Sequence, residues 1–309
     1  MAVTRASLGR GPAIVTIGGQ TLFMRDSIMA RHSPVWKPAN CTHLGQIDKY
    51  KSDFVIKNTF QLFGAWQSLS VLFPSALLNP VVGTSLFGAS DNAMVILAKN
   101  NDQITYANSQ ITKLIDLDLS LDNELFSAAV EITSLIKNST APETAGAYFT
   151  RATGTYAETS FALTNFLKTR WSAAWAAKTG FTSFIGQKGF KVAWTLDVKP
   201  DVVDGYGTVD MYIGEGGLVA GMKCVPIGPT AAQADTLQNV HAVHGALLSA
   251  GAADLTMTGA AAGSVVLKNA AMVEFSTAFG VEPLRVNETA WETTRAITSG
   301  AVGAVAALS

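Results

Sequence analysis

Two segments of this 309-residue chain occur twice, in the same order and at nearly the same spacing. Gly45-Gln46-Ile47-Asp48-Lys49-Tyr50 returns 162 residues later as Gly207-Thr208-Val209-Asp210-Met211-Tyr212. Residues 104–111 are echoed by residues 265–272, at a spacing of 161. Either match alone is at the level of chance, but two matches whose spacings agree to one residue indicate a domain duplication. Two similar halves in one chain favour pseudo-symmetric self-assembly, in which one chain occupies two equivalent positions.

The composition suits a chain that buries part of its surface against copies of itself. Hydrophobic residues make up 48% of the chain, and charged residues make up 15%, whereas soluble proteins average about 25% charged residues. An alanine- and glycine-rich soluble protein explains these values equally well, so composition leaves both interpretations open. The net charge of −1, without a block of lysine or arginine, argues against nucleic acid held through phosphate contacts.

The sequence also bears on export, membranes and redox state. Cys41 and Cys224 are too few and too far apart for a disulfide framework or a zinc site, and they suit synthesis in a reducing cytoplasm. The first residues lack the long apolar segment of a signal peptide. No uninterrupted apolar run reaches membrane-spanning length. We therefore expect a protein that is neither exported by a signal peptide nor embedded in a membrane.

Alternating polarity predicts a long antiparallel hairpin near the end of each half. In the first half, residues 115–122 alternate aliphatic and polar side chains, and residues 126–136 form the return strand. We expect one face of this hairpin to be dry, with Ile115, Leu117, Leu119 and Leu121 on it. Residues 272–281 and 284–297 are the second-half counterpart, with a drift of one residue in spacing that a β-bulge explains.

Each half is also predicted to begin with strands. In the second half, residues 190–198 and 206–213 form a hairpin around the turn at Asp204-Gly205. In the first half, residues 21–36 and 44–50 take the corresponding places, and Pro34 and Pro38 mark the predicted bend.

Three segments are predicted to be helical. Residues 228–248 have the start signals of a helix, with Gly251 as its stop, and residues 65–78 are a less regular first-half version. The third helix, residues 160–180, joins the halves. Its apolar residues fall at helical spacing: Leu163, Phe166, Leu167, Trp171, Ala174 and Trp175.

The predicted fold class is mainly β, α+β overall, with two tandem sandwich-like or barrel-like domains that each carry a flanking helix. The first domain spans residues 1–140, a linker with a helix spans 141–180, and the second domain spans 181–309.

No catalytic or metal-binding pattern emerges from the sequence. Residues 214–217 with Gly221 miss the glycine spacing of a nucleotide-binding loop and follow a hairpin strand, which favours a turn. Asp116-x-Asp118-x-Ser120 lacks the glycine and the final glutamate of a calcium loop. The four histidines have no evident third ligand beside them. We expect no enzymatic activity, no bound metal and no cofactor.

The order of these parts resembles the major tail tube protein of long-tailed, siphovirus-type bacteriophages. Residues 1–11 look like the N-terminal arm of that family, residues 45–50 like its G-x-[ILV]-D segment, and residues 111–136 like its closing hairpin. The resemblance is one of pattern over most of the chain. Some members carry two fused tube domains and close a ring with three chains, and the duplication here is typical of that variant.

The resemblance implies a structural virion protein, made in the host cytoplasm, whose homotrimeric rings stack into a tube for DNA ejection. Its partners would be further copies of itself, a tape measure protein and a tail terminator, while DNA passes through without specific binding. Asp116, Asp118 and Asp122 would face the lumen, where negative charge repels phosphates. The second hairpin is less acidic, with only Glu274 and Glu282. Candidate contacts between rings are Thr4, Arg5, Phe149, Arg151 and Tyr156.

Two other interpretations remain open at this point. A distal tail protein, a baseplate hub or a secretion tube shares the same hairpin pattern, and the number of copies per particle distinguishes these from a tail tube. A β-rich surface-binding module is a different class, in which Trp171 and Trp175, or residues 205–221, contact a carbohydrate or a receptor.

Overall fold

The computed structural model shows a chain built mainly of antiparallel β-strands. It describes residues 12–24, 29–64, 66–73, 81–88, 92–119, 126–137, 141–157, 170–176, 178–239, 242–259, 263–278, 285–294 and 304–307. Within these ranges there is one α-helix, α1 (Ala231–Asn239), with 3-10 helices η1 (Trp66–Leu72) and η2 (Leu248–Gly251). The expectation of a mainly β fold is confirmed.

The described part of the chain as far as residue 157 contributes strands β1 to β9. They are β1 (Ala13–Ile17), β2 (Gln20–Met24), β3 (Met29–Cys41), β4 (Gly45–Gly64), β5 (Met94–Ala98), β6 (Asp102–Tyr106), β7 (Ser109–Leu119), β8 (Phe126–Ser134) and β9 (Phe149–Thr153).

The described residues from 170 onward contribute strands β10 to β18. They are β10 (Trp171–Trp175), β11 (Ile185–Gly186), β12 (Phe190–Val203), β13 (Gly207–Cys224), β14 (Pro226–Ile227), β15 (Ala253–Gly259), β16 (Gly263–Ala278), β17 (Arg285–Thr293) and β18 (Ala304–Ala307).

Sixteen of these strands form one sheet. Its main order is β10-β15-β16-β17-β13-β12-β7-β8-β4-β2-β1-β5-β6-β9, with β18 paired to β16 and β3 paired to β4. Strands β11 and β14 form a separate two-stranded sheet. Strands of the first half of the chain therefore lie on one side of the β7–β12 pair, and strands of the second half lie on the other.

The β7–β12 pair joins the two halves of the sheet through an antiparallel register. Phe190 lies opposite Leu119, Lys191 opposite Asp118, and Trp194 opposite Leu114. Along β12 the side chains of Phe190, Val192 and Trp194 are buried, and those between them are exposed. This alternation gives the joined sheet one face toward the core and one open face.

Aromatic side chains hold the core together. Trp194 is buried and its indole Nε1 donates to the carbonyl of Leu72 at 3.1 Å, which ties β12 to the helix η1 of the first half. Trp175 donates likewise to the carbonyl of Ala270 at 2.9 Å, and its ring packs edge-on against Trp291. Burial of each such side chain contributes about 1.5–3 kcal/mol.

The predicted helix over residues 160–180 is wrong where the structure describes it, because Trp171–Trp175 is strand β10. Trp171, Ala173 and Trp175 are buried, and the residues between them are half-buried. Residues 171 and 175 fit a helical spacing of four as well as a strand period of two, and pairing with β15 selects the strand. Leu163, Phe166 and Leu167 lie outside the described residues.

The other helices are shorter than predicted. Helix α1 begins after Thr230, which forms a capping box with Gln233: Thr230 Oγ1 accepts from the Gln233 N–H at 3.2 Å, and Gln233 Oε1 accepts from the Thr230 N–H at 2.9 Å. The helix ends at Asn239, and the described residues from 242 to 247 form turns and bends. In the first half only residues 66–72 are helical within the predicted span 65–78 that is described.

The predicted hairpins are confirmed, with two differences. The predicted strand over residues 21–36 is two strands, β2 and β3, which pair with different parts of β4. Strands β7 and β8 pair, as do β16 with β17 and β12 with β13. The first-half hairpin β3–β4 turns at residues 42–44, and Pro34 and Pro38 lie within β3 instead of at its bend. Strand β3 has β4 as its partner on one side, and a proline is tolerated in a strand whose other side is unpaired.

Candidate functional site

The open face of the sheet forms a shallow trough across β7, β12, β13, β17 and β16. Its volume is about 420 Å³, and its lining includes Ile115, Asp116, Lys191, Thr195, Val219 and Glu292. Short side chains occupy the middle, where Ala193 lies opposite Gly221. Side chains alternate between the two faces of a strand, so the residues on the open face lie between those that fill the core.

Two of the three predicted lumen-facing carboxylates lie on this face. Asp116 is exposed and lies opposite Ala129 of β8, and half-buried Asp118 lies opposite Lys191 of β12. Asp122 lies outside the described residues. The expectation that Ile115 packs inward is wrong: its side chain is 40% exposed. A bulge between Leu114 and Asp116 shifts the alternation of β7 by one residue, so Ile115 and Asp116 are both exposed while Leu117 and Leu119 are buried.

The charges on this face are mixed. Lys57 pairs with Glu131 across β4 and β8 at 3.6 Å, and Lys223 pairs with Glu288 across β13 and β17 at 3.8 Å. The strand register places further charged side chains of both signs on this face. The lysines are Lys113 and Lys191, and the carboxylates are Asp116, Asp118, Glu274 and Glu292. Carboxylates outnumber lysines, but the face carries no uninterrupted acidic stripe.

Among the described residues, β3 and the C-terminal part of β16 each have one edge that pairs with no other strand. Strand β3 pairs with β4 only. Strand β16 pairs with β15 and β18 as far as Ala270, and from Ala271 onward it pairs with β17 only. Backbone N–H and C=O groups along these two edges are available to another strand.

The β3–β4 and β12–β13 hairpins project beyond the core. The first seven residues of β4 are exposed, and the hairpin carries exposed Trp36, Leu44, Ile47 and Tyr50. At their bases the two hairpins are tied by Asp53 of β4, whose two carboxylate oxygens accept from the Thr208 N–H and the Thr208 hydroxyl, both at 2.7 Å. Several large apolar side chains exposed on one projecting hairpin are typical of an interaction surface.

A first-half loop, residues 83–87, pairs with the edge of β13. Gly83 N donates to Ile213 O at 2.8 Å, Ile213 N donates to Thr84 O at 3.0 Å, and Leu86 N donates to Met211 O at 2.9 Å. Asp210 Oδ1 accepts from Phe87 N at 3.2 Å and from Met211 N at 2.7 Å. This loop and the Asp53 contact give the two halves an association beyond the β7–β12 pair.

The predicted contacts between rings fall on one edge of the sheet. Phe149 and Arg151 are on β9, where Arg151 forms an ion pair with both carboxylate oxygens of Asp102. Tyr156 follows β9, and its N–H donates to Asn101 Oδ1 at 2.8 Å. Thr4 and Arg5 lie outside the described residues. The structure places Phe149 and Arg151 on β9 and Tyr156 just beyond it, and their role between rings stays a prediction.

Trp171 and Trp175 are buried, so these two side chains do not form the exposed aromatic patch that a surface-binding module requires. Among the described residues, no group of three or more histidine, cysteine, aspartate or glutamate side chains could hold a metal ion. Both cysteines are free thiols, and burial raises the pKa of the Cys224 thiol. No helix in the described ranges is long and apolar enough to cross a membrane.

Sequence reasoning missed two further echoes that belong to these surfaces. Lys37-Pro38 returns as Lys199-Pro200, at the spacing of 162. Val81-x-Gly83-x-x-Leu86 returns as Val243-x-Gly245-x-x-Leu248, at the same spacing. Alignment of the two halves at that fixed spacing would have found both.

No protein-family model matches this chain, and a search of curated proteins finds no matching relative.

Proposed function

We propose that this chain is a tandemly duplicated tail tube subunit of a long-tailed bacteriophage, and that three chains close each ring of the tube. The main support for this proposal is that β3 and the C-terminal part of β16 each have an unpaired edge among the described residues. They are the unpaired counterparts of β12 and β7, which already pair inside the chain.

Recurrent strand pairing supports the duplication. The pairs β1–β5, β5–β6 and β6–β9 recur as β10–β15, β15–β16 and β16–β18. The pairs β3–β4, β4–β8 and β7–β8 recur as β12–β13, β13–β17 and β16–β17. On these pairings one unit runs from β1 to β9 and the other from β10 to β18.

Backbone irregularities recur as well. Asn108 and Asn269, 161 residues apart, both have positive φ, 37° and 48°. The Asn108 carbonyl accepts from Leu135 N and the Asn269 carbonyl accepts from Thr294 N, both at 3.0 Å. Bulges also recur, since the register shifts between Ile111 and Lys113 and again between Met272 and Glu274. Bulges and left-handed asparagines depend on specific local sequence, so their coincidence favours common descent of the two units over chance.

The β7–β12 pair is therefore a junction between two like units. The same junction can form between chains, with β16 of one chain taking the place of β7 and β3 of the next chain taking the place of β12. In that register Ser33 lies opposite Glu274, as Thr195 lies opposite Lys113 within the chain. The contact is head-to-tail, so it closes into a ring when the rotation per unit divides a full turn.

The size of such a ring suits a channel. Each chain brings the eight strands β3-β4-β8-β7-β12-β13-β17-β16 in that order. At about 4.8 Å between strands, three chains give a circumference of about 115 Å and a backbone diameter of about 37 Å, which strand tilt widens further. Closure would also remove the exposed edges of β3 and β16.

The trough lies on the inner surface of the proposed ring. Its lysine–carboxylate mixture offers phosphates neither a basic track nor a strong acidic barrier, which is consistent with DNA that passes through without specific binding. The acidic lining expected from Asp116 and Asp118 is thus partly compensated by Lys113 and Lys191. A tape measure protein, a tail terminator and a place in the virion follow from the same resemblance.

Electron microscopy and light scattering of the purified protein at rising concentration test this function. We expect rings or tubes, with a ring mass three times the 32.5 kDa of the chain. In a Cys41→Ser background, the variant Ser33→Cys/Glu274→Cys should form covalent trimers on oxidation, while Lys113→Cys/Thr195→Cys should cross-link only within one chain. A protein that stays monomeric at every concentration and forms no 33–274 cross-link would contradict the proposal.

A further inference from the structure

Residues 83–87 pair with β13 within the chain, and the duplicated sequence carries a second copy of both of these surfaces. We propose that residues 243–249, the latch segment, bind the β4 edge at Asp48–Lys51 of the next chain. The inference rests on the proposed ring and adds a partner surface separate from the β3 and β16 edges. It extends to the neighbouring chain the pairing that residues 83–87 make with β13.

The first four residues of the latch segment make the same turn as their first-half counterparts. Gly83 and Gly245 both have positive φ, 85° and 81°. The Thr84 N–H donates to the Val81 carbonyl, and the Ala246 N–H donates to the Val243 carbonyl, both at 3.0 Å. Both segments therefore make the same turn. Beyond it the backbones differ, since residues 248–251 form the 3-10 helix η2 whereas residues 86–88 do not.

The receiving edge is also repeated. Asp48 Oδ1 accepts from the Lys49 N–H at 2.7 Å, as Asp210 Oδ1 accepts from the Met211 N–H at 2.7 Å. Lys37-Pro38 lies opposite Tyr50 and Lys49, as Lys199-Pro200 lies opposite Tyr212 and Met211. The carboxylate of Asp48 is thus oriented as that of Asp210, which additionally accepts from Phe87 N.

The two copies differ in burial. In the pair made within the chain, Leu86, Phe87 and Met211 are at most 9% exposed. Their counterparts in the second copy are more accessible: Leu248 and Ser249 are half-buried, and Lys49 is exposed. Leu247 and Tyr50 are 65% and 54% exposed, whereas their counterparts Ser85 and Tyr212 are half-buried. Within the described ranges β3 is the only strand that pairs with Asp48–Lys51. The second copy of the contact therefore has both surfaces, but neither has a strand partner for it among the described residues of one chain.

The direction of this contact agrees with that of the ring. Inside the chain, β7 and residues 83–87 of the first unit both reach the second unit. Between chains, β16 and the latch segment of the second unit would both reach the first unit of the next chain. One rotation then satisfies both contacts, as a head-to-tail ring requires.

The pairing within the chain fixes the expected hydrogen bonds. Gly245 N donates to Lys51 O, Lys51 N donates to Ala246 O, and Leu248 N donates to Lys49 O. Ser249 N donates to Asp48 Oδ1. In this antiparallel register Leu247 lies opposite Tyr50, as Ser85 lies opposite Tyr212.

Disulfide cross-linking tests the register. In a Cys41→Ser background, Tyr50→Cys/Leu247→Cys should oxidise to a covalent trimer that reductant reverses. Leu44→Cys/Leu247→Cys is the matched control, because exposed Leu44 lies six residues further along the hairpin, about 20 Å away in an extended strand. Ser85→Cys/Tyr212→Cys should cross-link within single chains only.

The possible outcomes distinguish a failure of the latch-segment contact from a failure of the proposed ring. Rings that form and cross-link at 33–274, but not at 50–247, overturn the latch and leave the proposed function standing. A 50–247 disulfide confined to monomers also overturns the latch, because the contact would then lie within one chain. Monomers that cross-link at neither pair contradict both proposals. A covalent trimer at 50–247, with none from the Leu44 control, supports the latch.

Discussion

Asp53 ties the two projecting hairpins together, and its removal is expected to destabilise the folded chain. Its carboxylate accepts from the Thr208 N–H and hydroxyl, both at 2.7 Å, and also from the Phe54 N–H at 2.7 Å. Thr208 is 2% exposed. The variant Asp53→Ala therefore leaves two donors of a buried threonine without this acceptor, in a place where water has little access.

The magnitude follows from these contacts. A hydrogen bond to a charged group contributes about 1.5–3 kcal/mol, and half-buried Asp53 places each bond to Thr208 near the lower end of that range. We expect Asp53→Ala to lower the free energy of unfolding by about 3 kcal/mol. Asp53→Asn keeps one oxygen acceptor and should cost about 1 kcal/mol. In a chain of this size, 3 kcal/mol corresponds to a fall in Tm of about 5 °C.

Urea unfolding, followed by tryptophan fluorescence at concentrations that yield no assembly, measures the effect. Asp48→Ala is the matched control, since Asp48 is exposed and accepts from the adjacent Lys49 N–H; its change should stay within about 0.5 kcal/mol. Adding Thr208→Val to Asp53→Ala should cost far less than Thr208→Val alone, because the shared contact is already lost. Equal stability losses for Asp53→Ala and Asp48→Ala would refute the assigned tie.

Three shorter predictions concern other sites. Burial acts to raise the pKa of Asp254, but hydrogen bonds from Lys268 Nζ and Asn269 N outweigh it and hold this pKa below its usual value. The stability that Asp254 contributes is therefore present above the usual carboxyl pKa and is lost as pH falls through the lowered pKa; Lys268→Met should move acid unfolding, followed by circular dichroism, to higher pH. Asn269 has a φ of 48°, so Asn269→Val should lower Tm while Asn269→Gly should not, and equal Tm values would contradict this account. Because burial raises the pKa of Cys224, iodoacetamide at pH 8 should alkylate half-buried Cys41 and spare Cys224 until the chain unfolds, as mass spectrometry of peptides would report.

The sequence predicted the long hairpins well because their period of two extends over many residues. Strand β12 alternates buried Phe190, Val192 and Trp194 with exposed neighbours, and no helix places residues in that way. The prediction failed where a segment was short. Trp171–Trp175 fits both periods within five residues, and pairing with β15, about 80 residues away, selects the strand.

The candidate surfaces were less predictable because they depend on tertiary pairing. Simple alternation predicts Ile115 in the core, but the β-bulge between Leu114 and Asp116 places it on the open face. The pairing of residues 83–87 with β13 joins positions more than 120 residues apart. Its sequence signal, Val81-x-Gly83-x-x-Leu86, has meaning only when it is set beside its second copy.

The prolines of β3 bear on how an exposed edge could select one partner. Pro34 corresponds to Leu196 at the spacing of 162, and β7 pairs with β12 from Phe190 only as far as Thr195. On β3 the equivalent junction ends at Ser33, directly before Pro34, which has no N–H to offer an incoming strand. A strand that slid further along this edge would meet Pro34 and then Pro38. The two prolines thus disfavour registers displaced toward the β3–β4 turn. The yield of the 33–274 cross-link relative to pairs displaced by two residues in that direction measures the restriction.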